Sequence, residues 1–163
     1  MRCGGYTLFR LSAVRNAPVI CRNERIGLLQ GMSVNLQTKQ ITDLIVGCGL
    51  RGKRRILCRD VRSIADGFIL LKDDAVHMAV QDCKENLFVL DTSGLLIGHV
   101  VDYMIDESVM TVQALEIVTG YWPCRYTKRI WLFEYEYRGE EIIVPASFGG
   151  ELIKLREEDE ICV

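Results

Sequence analysis

Histidine and proline are scarce: the 163 residues hold two His and three Pro. His77 and His99 stand alone, with no HxH, HxxxH or Cys-His partner at ligand spacing. A metal centre or an imidazole base needs convergent partners, so both read as ordinary surface or core side chains. No nucleophile-elbow, Walker or dinucleotide-binding glycine motif occurs. The expectation is therefore no catalytic residues, no metal and no cofactor. No run reaches the ~18–20 apolar residues of a membrane helix. Leu95 to Ile105 comes nearest, and His99 and Asp102 interrupt it. The stretch between Arg2 and Arg10 is too short and glycine-rich for a signal-peptide core, so a cytoplasmic protein is expected. CxxC spacing is also missing. The seven cysteines, an odd number, read as free thiols rather than a disulfide framework.

What is present is globular in character, with 49% hydrophobic and 26% charged residues. Twenty basic against 22 acidic residues leave a net charge of -2, which argues against a globally basic nucleic-acid binder. A weak internal repeat is the main signal. Ile26-Gly27 recurs as Ile97-Gly98, 71 positions on. At that spacing Val34 meets Ile105, Asn35 meets Asp106, Leu44 meets Leu115 and Val46 meets Ile117. In each half a short apolar strand (Pro18 to Cys21, Leu87 to Leu90) and a polar turn precede the Ile-Gly pair. A glycine at the start of a long strand marks a bulge or sharp bend.

β-branched residues with turn signals every 8–12 residues argue for an all-β sandwich or barrel. The later strands are aligned here as Arg55 to Cys58 with Ile142 to Ser147, and Phe68 to Leu71 with Glu151 to Leu155. That alignment leaves about 16 extra residues in the second half, read as an added hairpin with a strand from Arg129 to Tyr135. Asp102 and Asp106 would lie ~13 Å apart on a strand at ~3.3 Å per residue, too far for a catalytic dyad. They are expected to cap turns or hold strand ends. The domain reading is a first unit at 1–74, a linker at 75–83 with a short helix from Ala75 to Val80, and a second unit at 84–163.

Three surface features remain. Arg51, Lys53, Arg54, Arg55, Arg59 and Arg62 fall within twelve residues, opposed by Asp60 alone. They read either as a phosphate or acidic-protein contact or as a solvated loop protecting a sheet edge. Glycines 47, 49 and 52 suggest that this loop begins flexibly. Acidic residues gather from Glu134 to Glu160, so patches of opposite sign could pair copies of the chain. Seven of the 13 aromatics lie between Tyr121 and Tyr137, Trp122 among them. Trp131, Phe133, Tyr135 and Tyr137 alternate and would share one strand face, either packed as core or offered as interface anchors.

The order of polar turn, Ile97-Gly98, long strand to Asp106, apolar strand, Ile143-Val144-Pro145 and Leu152-Ile153-Lys154-Leu155 resembles the PRC-barrel family. The first half supplies Ile26-Gly27, Asn35, Ile56-Leu57-Cys58 and Phe68 to Leu71. It departs from the pattern at Gly31 and Cys58. The resemblance implies two tandem small PRC-type β-barrels with short helical or 3-10 segments. It also implies a non-enzymatic adaptor that binds a protein partner, like relatives in the sporulation-associated YlmC/YmxH group and the ribosome maturation factor RimM. Fold-level analogy carries that functional expectation. The partner expected from it is a protein, gripped by Trp122, Trp131, Phe133, Tyr135 and Tyr137. The alternative is RNA or a ribonucleoprotein held by the basic cluster.

Overall fold

The structure is a computed structural model, described for residues 2–3, 6–65, 67–75, 77–79, 87–119 and 128–148. Among the described residues it is all-β apart from one four-residue helix, α1 (Leu11–Val14), two 3-10 turns (Gly49–Arg51 and Cys58–Asp60) and a helical turn at 146–148. No helix among the described residues is long and apolar enough to cross a membrane. The chain divides into two compact units, one of Met1–Cys83 with Asp102–Ala114, the other of Lys84–Val101 with Leu115–Val163.

The first unit begins with β1 (Arg2–Cys3), β2 (Tyr6–Arg10), β3 (Pro18–Cys21), β4 (Glu24–Asn35) and β5 (Gln40–Gly47). It continues with β6 (Lys53–Leu57), β7 (Val61–Ala65), β8 (Phe68–Leu71) and β9 (His77–Ala79). Its strand order is β7-β8-β3-β4-β5-β6-β9. The second unit is built on β10 (Phe88–Asp91), β11 (Leu96–Asp106), β12 (Thr111–Thr119), β13 (Lys128–Leu132), β14 (Glu136–Arg138) and β15 (Glu141–Val144). Its order is β14-β15-β10-β11-β12-β13. The far parts of β11 and β12, residues 102–114, belong to the first unit.

The two units share one plan. β3 runs antiparallel to β4 and parallel to β8, while β10 runs antiparallel to β11 and parallel to β15. Val19 pairs with Gly27 and Ile69; Val89 pairs with Gly98 and Ile142. Each glycine lets its strand approach a neighbour that a side chain would block. A Cβ on Gly27 would meet the Gly47 carbonyl oxygen at 2.5 Å, and one on Gly98 would meet the Val118 carbonyl. Gly47 and Val118 are themselves 71 positions apart, so the repeat extends to the packing partner. Side chains cap the matching turns as well. Asn35 Oδ1 accepts from the Gln37 and Thr38 amides, and Asp106 Oδ1 accepts from the Ser108 amide and hydroxyl. Lys39 and Met110 close these turns at positive φ, 58° and 50°. Asp106 is thus a turn cap, as its sequence position suggested.

Matching interiors follow. Val19, Leu44, Val46, Ile56, Ile69 and Leu71 are buried in the first unit, and Val89, Leu115, Ile117, Leu132, Ile142 and Val144 in the second. Burying aliphatic side chains of this size contributes about 1.5–3 kcal/mol each.

The later strands differ from the sequence alignment. β15 is the counterpart of β8, not of β6, because each is the strand parallel to the unit's first. β13 pairs with β12 as β6 pairs with β5. The strand from Lys128 therefore matches β6 in the shared plan, and the turn at Gly139-Glu140 joins β14 to β15. The segment read as a short linker helix contains β9, paired to β6. A short apolar run has no period to separate helix from strand, and the edge of β6 offered a backbone partner. The expected strand from Glu151 to Leu155 lies outside the described residues.

No described pairing closes either sheet, so the barrels expected from the sequence are not established. Both sheets are nevertheless curled. β13 and β14 stand at opposite ends of the second unit's order, yet only Phe133–Tyr135 separate them in the chain. Four peptide steps span at most ~14 Å at ~3.6 Å each. The Cys58–Asp60 turn likewise joins β7, the first strand of its unit's order, to β6, the last but one.

The β10–β11 turn carries a pH-sensitive cap. Asp91 Oδ1 accepts from the Ser93 hydroxyl at 2.6 Å and from the Ser93 and Leu95 amides at 2.8 and 2.9 Å. The Ser93 hydroxyl bond, then the Leu95 amide bond, hold the Asp91 carboxyl below its ordinary pKa. A lowered folded-state pKa contributes stability at pH values above the ordinary carboxylate range. That contribution is lost as pH falls through the Asp91 value. Ser93→Ala is expected to raise the Asp91 pKa, read from its carboxyl NMR titration.

Candidate functional site

A cleft of about 440 Å³ opens in the second unit where the chain passes from β13 to β14. β13 must leave β12 after Leu132, because the next residues pair at the far end of the sheet, on β15. Phe133–Tyr135 make that crossing, and Glu134, Tyr135 and Glu136 line the cleft. β15 and its continuation line it too, through Ile143, Val144, Pro145, Ala146 and Ser147. Thr92, beside the Asp91 cap, completes the lining.

The lining mixes apolar and acidic residues, and Glu136 lies directly across from Ile143 on the paired strand. Glu134 and Glu136 are exposed, and Arg138 pairs with Glu136 at 2.6 Å. Burial pushes the Tyr135 phenol up to about 12, so it stays protonated at neutral pH. Ile143 continues an outward apolar row, since it pairs with Leu90, which pairs with Leu96. Phe133, next in the chain to Glu134, is 60% exposed. The lining offers carboxylates, hydroxyls and an apolar surface, but no imidazole or amine. Among the described residues no group of His, Cys, Asp or Glu could hold a metal ion.

The aromatic series does not share one strand face. Trp131 lies on β13 opposite Glu116, Phe133 and Tyr135 lie in the crossing, and Tyr137 lies on β14 opposite Ile142. Its alternation breaks because one strand cannot pair with both ends of the sheet. Of this set, Tyr135 lines the cleft and Phe133 stands exposed beside it. Trp122 lies outside the described residues. The β15 residues enter the sequence reading only through Ile143-Val144-Pro145 in the family pattern, with no binding role attached.

The basic residues are distributed over several elements. Arg51 sits in the exposed Gly49–Arg51 turn. Lys53 and Arg55 point to one side of β6 and Arg54 to the other, with buried Ile56. Arg59 and Arg62 are exposed, in the Cys58–Asp60 turn and on β7. Arg55 Nε stands 3.9 Å from the buried Asp43 carboxylate, which accepts a 2.8 Å bond from the Thr42 hydroxyl. Burial, then the Asp43 charge, push the neighbouring Cys58 thiol up to about 11. That cysteine is therefore held as the thiol at neutral pH.

The turn before β6 is ordered rather than loose. Cys48 N–H donates to Gly52 O at 2.8 Å and Gly52 N–H to Gly49 O at 3.0 Å. His99 is exposed on β11, and His77 lies on β9. No protein-family model and no curated protein matches this chain.

Proposed function

We propose that the chain is a non-catalytic, cytoplasmic adaptor of the PRC-barrel type, whose second unit binds a protein segment in the Tyr135 cleft. The cleft's combination of apolar residues with the exposed Glu134 carboxylate carries this reading. Two units with the same curled strand plan support the family resemblance. The partner segment presents a branched apolar side chain next to a guanidinium or ammonium, the first for Ile143 to Ala146, the second for Glu134. Exposed Phe133, next to Glu134, supplies an aromatic anchor.

A synthetic peptide alternating leucine and arginine tests this against one alternating leucine and glutamate. The Leu/Arg peptide is expected to bind, more weakly as salt rises, and the Leu/Glu peptide not to bind. Phe133→Ala should weaken binding about tenfold, equivalent to ~1.4 kcal/mol, without unfolding an exposed site. Equal binding of both peptides, or full affinity in the variant, contradicts the proposal. Preferential binding of an RNA oligonucleotide, lost on Arg59→Ala and Arg62→Ala, would replace it with the nucleic-acid reading.

A further inference from the structure

We propose that the Tyr135 cleft of one copy takes the Leu50-Arg51 tip of a second copy, so that the chain associates head to tail. This rests on the protein-binding reading above and names its partner. The tip has the chemistry the cleft requires. Leu50 is an apolar side chain fully exposed to water, and Arg51, the next residue, is exposed too.

The tip is also preorganised. Gly49 and Gly52 hold positive φ values of 60° and 77°, a conformation in which other residues are strained. Arg51 N–H donates to Cys48 O at 3.3 Å, and the Cys48–Gly52 pair closes the loop. A turn already fixed in its docking shape loses little conformational freedom on binding. No Cβ on either glycine lies within 4 Å of another group, so packing does not account for them. Their role is to present Leu50 and Arg51.

The charges match in sign. Arg138 already occupies Glu136, which leaves Glu134 as the carboxylate for Arg51. Leu50 would lie against Ile143 and Pro145. Tip and cleft are different surfaces, so the contact is heterologous and grows into chains or rings rather than stopping at a symmetric pair.

Sedimentation velocity over a range of protein concentrations tests the contact. The wild type is expected to associate beyond the dimer, less so at high salt. Arg51→Glu and Glu134→Arg should each lower the association constant at least tenfold. Both sites are exposed, so both variants should keep the wild-type fold, checked by circular dichroism. Mixing the two variants, or combining both changes in one chain, should restore association, because each then pairs opposite charges.

A wild type that stays monomeric, an Arg51→Glu variant that associates normally, or charge swaps that fail to restore association would overturn the inference. If copies stay apart while the Leu/Arg peptide still binds, this inference falls and the adaptor reading stands. If the peptide does not bind either, both fall.

Discussion

Gly98→Ala is expected to destabilise the fold by about 3 kcal/mol, the upper end of the usual cost of overpacking. The added Cβ would sit 3.0 Å from the Val118 carbonyl carbon, closer still to its oxygen, and 3.2 Å from Thr119 Cα. All three are backbone atoms, so no side chain can swing away. β11 would have to separate from β12 at a point where Ile97 and Ile117 are buried. Gly27→Ala should cost a similar amount, since its Cβ would meet Gly47 O at 2.5 Å and Val46 Cγ1 at 2.6 Å. Gly31 is the control. Nothing lies within 4 Å of a Cβ there and its φ is not positive, so Gly31→Ala should be neutral or stabilise by up to ~1 kcal/mol. Urea midpoints for the three variants would show two large drops and one unchanged or raised value.

Asp102→Ala should cost about 3 kcal/mol for a different reason. Asp102 is 3% exposed, and four donors converge on its carboxylate. Ser12 donates from its amide at 3.0 Å and its hydroxyl at 2.5 Å, Arg10 Nε at 3.2 Å and the Tyr103 amide at 2.9 Å. Removing a buried charged acceptor strands its donors, which costs more than the net worth of the bonds. Arg10 is 44% exposed and recovers hydration, so the loss falls on the Ser12 donors more than on the ion pair. Asp102→Asn keeps one carbonyl acceptor and should lose about half as much. Hydrogen exchange would then show Leu11–Val14 losing protection before the strands do, because Asp102 anchors the start of α1.

These two predictions also separate what local sequence reveals from what it hides. Ile26-Gly27 and Ile97-Gly98 are legible because a close backbone approach admits only glycine, at the same step of both strands. The Asn35 and Asp106 caps are legible for a related reason, since a turn selects side chains that bond their own backbone. β6 and β13 were mismatched because their outward residues, Arg55 and Trp131, serve different surfaces. Their common inward positions are only Ile56 and Leu132. The Asp102 contact joins residues 90 positions apart, and no local pattern encodes such a pairing. The cleft was half visible. Tyr135 and its glutamates stand together in the chain, but Ile143 to Ser147 become their neighbours only when β14 folds back on β15.

The cleft is the centre of this account of function, and mapping its occupant by amide NMR tests it most directly. On titration with the Leu/Arg peptide, shifts are expected at Thr92, across Phe133–Glu136 and across Ile143–Ser147. Shifts gathered instead on Arg51 to Arg62, or absent at Glu134 and Ile143, would contradict it.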